Sequence, residues 1–218
     1  MTSSPIVARP RRGRPGLRPA LAAGAALVLL AAMALDTTVV RIGAAGNAAP
    51  GAFSPAAFGA AEFPKVQAAV TSRAVEAPVL AAAIAKDPAA AAKQYGVAGN
   101  GGPEFPVRFT GVVGEGDSGN YDVKVAGLPD GLTIRVQTGP AIMGTDLRDG
   151  IGTISFGQFT NQIEYQNAGS ALNKEMKKQV LARLDTAGLS GKTVSVVGVF
   201  QLTDPKAWLV TPVRMEVQ

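Results

Sequence analysis

The chain of 218 residues contains neither cysteine nor histidine, and these absences remove more chemistry than any motif supplies. Without thiolate or imidazole there is no disulfide framework, no cysteine nucleophile, no Ser-His-Asp triad and no zinc site of the usual ligand set. A bacterial lipid anchor also needs a cysteine, and this sequence has none to offer. Carboxylates, lysine, tyrosine and backbone groups are what remain. No catalytic residue, metal site or cofactor is expected from them.

Basic residues outnumber acidic ones 21 to 16, a net charge of +5. The excess is local. Arg9, Arg11, Arg12, Arg14 and Arg18 are the charges that precede Asp36, so 16 basic and 16 acidic residues remain from Asp36 onward. A nucleic-acid-binding face needs clustered lysine and arginine with aromatic platforms. Neither follows the arginine-rich arm, which speaks against a nucleic-acid partner.

Between that arm and Asp36, Pro19 to Leu35 runs uncharged. As a helix it would reach about 26 Å at ~1.5 Å per residue, a little short of the ~30 Å hydrocarbon core. Thr37 to Val40 would lengthen it. The sequence therefore predicts a membrane anchor over residues 19–40. Arginines ahead of the span place the N-terminus in the cytoplasm and the rest outside, a single-pass inner-membrane protein with a periplasmic domain. The competing expectation is a signal segment, since Ala32-Met33-Ala34 offers the small-x-small pattern that precedes cleavage.

The expected organisation is a basic arm over 1–18, the hydrophobic segment over 19–40, a Gly/Ala linker over 41–52 and an extracytoplasmic domain over 53–218. Its first part, 53–98, reads as helical. Ser54-Pro55 and Asp87-Pro88 each pair a cap residue with proline at the first helical position, and Pro64 predicts a break into two short helices. From 104 to 218 the chain reads as mainly β with one helix. Phe105, Val107 and Phe109 alternate with polar or small neighbours, as do Tyr121, Val123 and Val125, then Ile134 and Val136. Glycine-rich turns between them predict an antiparallel meander. Ile151 to Phe156 is expected as a further strand, Ser170 to Leu184 as the helix, and Thr193 to Gln201 with Trp208 to Val217 as a closing hairpin. The sum is an α+β fold: a small antiparallel, OB-like, partly open β-barrel with accessory helices.

Phe156-Gly157-Gln158-Phe159-Thr160-Asn161-Gln162-Ile163-Glu164-Tyr165 follows Gly139-Pro140-Ala141-Ile142-Met143-Gly144-Thr145 and precedes Val210-Thr211-Pro212-Val213. With the Asp87-Pro88 to Tyr95-Gly96 segment, these motifs resemble a bacterial family of predicted periplasmic lipoproteins of unknown function, over roughly 39–217. The resemblance implies a β-barrel-like domain with accessory helices. It also implies a role beside sugar ABC transporters, by association rather than mechanism. Many members carry a lipidated cysteine where this chain has Asp36, so a peptide segment would replace the lipid.

Candidate ligand- or partner-binding residues are Asn161, Gln162, Glu164 and Tyr165. These groups suit sugar hydroxyls or a partner's backbone; the bland alternative is that Asn161 and Gln162 cap a turn. Arg148, between Asp146 and Asp149, joins the set, its bland alternative being a surface salt bridge. Glu115, Asp117 and Asp122 lack EF-hand spacing and read as a solvated turn. Lys174, Lys177 and Lys178 share one face of the predicted helix, a solvated face or one that meets anionic lipid. The expectation is a non-enzymatic, membrane-tethered accessory protein with a transporter or envelope partner. The alternatives are a sugar-binding domain and, behind it, a carboxylate-dependent hydrolase.

Overall fold

The computed structural model describes residues 17–36 and 52–218, and the chain divides into two units, Met1–Ala49 and Pro50–Gln218. Most of the expected arm (1–18) and linker (41–52), and Thr37 to Val40 of the hydrophobic segment, lie outside the described residues. In the first unit, helix α1 is Leu17–Asp36. Among the described residues no helix is long and apolar enough to cross a membrane. The single-pass inner-membrane placement is thereby overturned. The reason is physical: the uncharged stretch spans less than the hydrocarbon core, and it is bounded by Arg18 and Asp36.

The second unit opens with helix α2, Pro55–Arg73, capped by Ser54 through Ala57 N at 3.4 Å. The break expected at Pro64 does not occur. Proline inside a helix costs about 3 kcal/mol or more, yet Phe63, Val66 and Val70 are fully buried on either side of it. Burial of that stripe outweighs the lost hydrogen bond. Helices α3, Ala77–Lys86, and α4, Pro88–Tyr95, follow. Asp87 caps α4 by accepting from Ala89 N at 2.9 Å and Ala90 N at 3.0 Å, as the Asp-Pro signal predicts.

Seven strands make one sheet: β1, Val75–Glu76; β2, Val97–Gly99; β3, Gly102–Asp117; β4, Asn120–Val125; β5, Thr133–Gln137; β6, Thr193–Gln201; β7, Ala207–Val217. Five of them pair in a ring. β3 pairs with β4, β4 with β5, β5 with β7, β7 with β6, and β6 returns to β3. The sheet is mixed, which corrects the wholly antiparallel expectation: β5 runs parallel to β7, and β1 parallel to β3. Local alternation reveals a strand but not its neighbour's direction. The parallel pair arises because the chain leaves β5, passes through helices and β6, and comes back alongside it. Ring closure also replaces the partly open edge that was expected.

Inside the barrel, Trp208 stacks on Phe200 with centroids 4.4 Å apart, and Phe200 on Phe105 at 5.7 Å. Trp208 is therefore core, with its indole N–H donated to Pro205 O at 3.2 Å.

Between β5 and β6 lie helix α5, Asp146–Asp149, a 3-10 turn at Phe156–Gln158 and helix α6, Gln162–Gln179, followed by a second 3-10 turn at Leu181–Arg183. The strand expected at 151–156 is absent. Its apolar residues Ile151 and Ile154 are buried from a loop instead. The helix begins eight residues earlier than the predicted Ser170, because its polar first turns carry no apolar stripe to announce it. α2 crosses α6 closely at Gly59, where a Cβ would stand 2.8 Å from Ala171 O.

Candidate functional site

At one end of the barrel ring the register brings polar positions into line. Asn120 faces Gln137 across β4 and β5, and Glu104 faces Gln201 across β3 and β6. Gln137 donates its amide to Thr211 Oγ1 at 2.8 Å and to Met143 O at 3.2 Å, and accepts from Met143 N at 2.8 Å. Thr211 in turn donates its hydroxyl to Asp146 Oδ2 at 2.8 Å. This relay ties the loop after β5, and α5 behind it, to the barrel wall.

Arg148 and Asp149 sit deeper. Their side chains are 6% and 5% exposed, so the surface-salt-bridge alternative is corrected to a buried ion pair. Arg148 Nε and Nη2 reach Asp149 Oδ1 and Oδ2 at 2.8 and 2.9 Å, a two-pronged contact that matches fork to carboxylate. Nη1 donates to Tyr165 O at 3.1 Å, and the guanidinium carbon lies 3.6 Å from the Tyr165 ring centroid. Asp149 further accepts from Thr145 Oγ1 at 2.7 Å and from Tyr165 OH at 3.2 Å, while Asn100 donates to that phenol at 2.7 Å. Burial, with Asp149 beside it, pushes the Tyr165 phenol up from its ordinary value.

Glu104 is the exception to this saturation. It is 1% exposed, Oε1 accepts from Gln201 at 3.3 Å, and Oε2 has no partner. Burial, and then the neighbouring Asp146 and Asp149, push its carboxyl up to about 8. Burial likewise raises Asp146 to about 6, against the opposing hydrogen bond from Thr211. Glu104 is thus a neutral acid at pH 7.

The sequence-predicted residues separate into two groups. Tyr165 and Arg148 are brought together in the buried network. Asn161, Gln162 and Glu164 are not part of it. Asn161 is the N-cap of α6, accepting from Glu164 N at 2.9 Å, and Glu164 reaches back to Thr160 N at 2.9 Å. This reciprocal arrangement is a helix start, related to the capping box. Gln162 is exposed at the first helical position. Sequence reasoning did not find Glu104, Gln137, Gln201, Thr211 or Asn100. Glu104 and Gln201 lie 97 residues apart, and only strand register joins them. Among the described residues no group of acidic side chains is arranged to hold a metal ion.

A family model described as predicted periplasmic lipoprotein (DUF2291), whose function is unknown, matches residues 23–216. The chain belongs to this family. Its members are described as lipoproteins, whereas this sequence contains no cysteine to carry lipid. No curated protein matches the chain. Among solved structures, an OB-fold protein from Thermotoga maritima is similar, with TM-score 0.62 at 20% identity over 77% of this chain and 99% of its own. At that identity the likeness concerns fold, and it agrees with the five-stranded ring.

Proposed function

We propose that this member of the periplasmic lipoprotein family is a non-enzymatic extracytoplasmic accessory domain that works by contact with a partner in the envelope. The observation that carries the reading is the inward, saturated state of the Arg148–Asp149–Tyr165 network. Groups that a hydrolase would present in a cleft spend their hydrogen bonds on one another, on Thr145 and on Asn100. A sugar-binding rim built from Asn161 and Gln162 loses its support for the same kind of reason, since Asn161 caps α6. The outer surface is left to do the work.

In this reading the hydrophobic segment acts as an export signal that ends at Ala34, with Ala32-Met33-Ala34 as the processing pattern. The partner class is the one the family resemblance implies, a sugar-uptake transporter. The test is to fractionate cells making the chain, sequence the N-terminus of the product, and crosslink it in place. The expected outcome is a periplasmic product that starts at Leu35 and crosslinks reproducibly to a transporter subunit. A cytoplasmic, unprocessed product would defeat the export reading. A periplasmic product that hydrolyses glycosides and crosslinks to nothing would defeat the accessory reading.

A further inference from the structure

The face of the domain formed by the C-terminal half of α6 carries a feature that the accessory reading does not use. A groove of about 660 Å³ runs between α6 with the 3-10 turn after it and the opposite wall made by the β3–β4 turn and Thr138 to Pro140. Lys174, Lys177 and Lys178 stand along it, and among the described residues no acidic side chain lines it. Tyr121, Leu181 and Leu184 supply an aromatic and aliphatic surface below them. From Asp36 onward the protein is formally neutral, so three ammonium groups on one groove are a local concentration of charge.

The wall facing the lysines is tightly built. Gly119 has φ +83°, and a Cβ there would lie 1.0 Å from Gly139 O. The turn can therefore approach residue 139 only as glycine. Lys177 Nζ donates to Pro140 O across the groove. The other two ammoniums are less committed. Lys178 Nζ is 3.4 Å from Glu175 Oε1, and its side chain is 72% exposed. Glu175 already accepts from Gln179 at 3.0 Å, and Lys174 reaches it only through the longer-range field.

Lysines in the last turn of a helix are favoured by the helix dipole with no ligand involved. That accounts for Lys177 and Lys178, which occupy the last turn of α6. It does not account for Lys174, five residues before the end of the helix. We propose that this groove is a binding site for an organic phosphate, with Lys174 and Lys178 meeting the phosphate and Tyr121, Leu181 and Leu184 covering its apolar part. Lysine is a point-charge phosphate ligand, and a phosphate ester carries about −1.5 to −2 at neutral pH, which suits Lys174 together with Lys178, whose ion pair with Glu175 is long and exposed on the lysine side. The groove's size lies within the ~300–1,000 Å³ range of small-molecule sites. A soluble phosphate ester and a phospholipid headgroup share this chemistry.

The experiment uses the full chain, with phenyl phosphate as the soluble probe followed by calorimetry, and sedimentation with phosphatidylglycerol against phosphatidylcholine vesicles. The lysine variant is Lys174→Ala/Lys178→Ala, and Lys174→Arg/Lys178→Arg is the charge-keeping control. Arginines in the N-terminal arm add their own attraction to anionic lipid, so the vesicle readout is the difference between the chain and its variant. The expected result is that phenyl phosphate or anionic vesicles bind, that the alanine variant weakens this about tenfold or more, equivalent to about 1.4 kcal/mol, and that the arginine variant retains it. Response to the soluble probe identifies a free ester as ligand, and response to vesicles alone a headgroup. Both lysine variants should melt at the temperature of the parent, since both side chains are exposed. Equal binding by parent and alanine variant, or binding of neither phosphate source, would overturn the proposal while leaving the accessory reading intact.

Discussion

Asp149 illustrates what single residues contribute here. A carboxylate taken out of water is costly unless it is paired and hydrogen-bonded. Arg148, Thr145 and Tyr165 together provide that compensation. Arg148→Ala removes the ion partner and leaves the charge enclosed, so urea unfolding should show a loss of about 3–5 kcal/mol. Tyr165→Phe removes one donor to the carboxylate and one acceptor for Asn100, and should lose only about 1–3 kcal/mol.

Glu104 predicts the reverse behaviour, and its sign follows from proton linkage. The folded protein holds the Glu104 proton up to about pH 8, whereas an ordinary glutamate releases it near 4.5. Between those values the folded state binds more protons than the unfolded one, so stability falls as pH rises. Below about 4.5 the contribution vanishes, and above about 8 the full penalty is present. Asp146 adds the same slope between 3.8 and about 6. Glu104→Gln keeps the acceptor for Gln201 and removes the titration. Its unfolding free energy should exceed that of the parent at pH 8 by an amount on the order of a few kcal/mol and approach it at pH 4. A parent whose stability is flat from pH 5 to 8 would contradict the buried acid.

At the scale of elements, the contact of α2 with α6 is set by a residue that helix propensity alone would reject. Glycine inside a helix costs about 1 kcal/mol relative to alanine. At position 59 the missing side chain lets the helices approach, with Ala171 O standing 2.8 Å from where a Cβ would be. Gly59→Ala should therefore lower the melting temperature although it improves propensity. A rise in melting temperature would mean that the crossing relaxes without cost.

Caps and strands were legible because their signals are local. Asp87-Pro88 forms the predicted cap, and the closing hairpin lies within a residue of its expected bounds. The start of α6 was not legible. Asn161, Gln162 and Glu164 have the composition of a binding rim and of a helix start alike, and which one they form depends on the helix that follows. The loop at 151–156 was misread for a similar reason: Ile151, Ile154 and Phe156 supply the apolar content of a short strand, but the segment pairs with no strand, and Ile151 and Ile154 reach the core from a loop.

For the whole molecule, every fully buried core residue among the described residues falls between Phe63 and Val213. A protein comprising residues 50–218 should accordingly unfold in one cooperative transition at the temperature of the longer chain. A markedly lower temperature would give the N-terminal unit a share in stabilising the domain.

The amino-acid sequence by itself determined the chemistry that is absent, the confinement of the basic excess to the N-terminal arm and the alternation of the barrel strands. Each depends on which residues are present or on neighbours a few positions apart. Tertiary structure decided the rest. The parallel pairing of β5 with β7, the ring closure through β3 and β6, and the encounter of Glu104 with Gln201 and of Arg148 with Tyr165 all join distant parts of the chain. Alternation along one strand fixes which face is buried, and the packing of the whole chain decides which strand lies beside it. The same holds for the lysine groove, one wall of which is α6 and the other a turn that approaches only because residue 119 has no side chain.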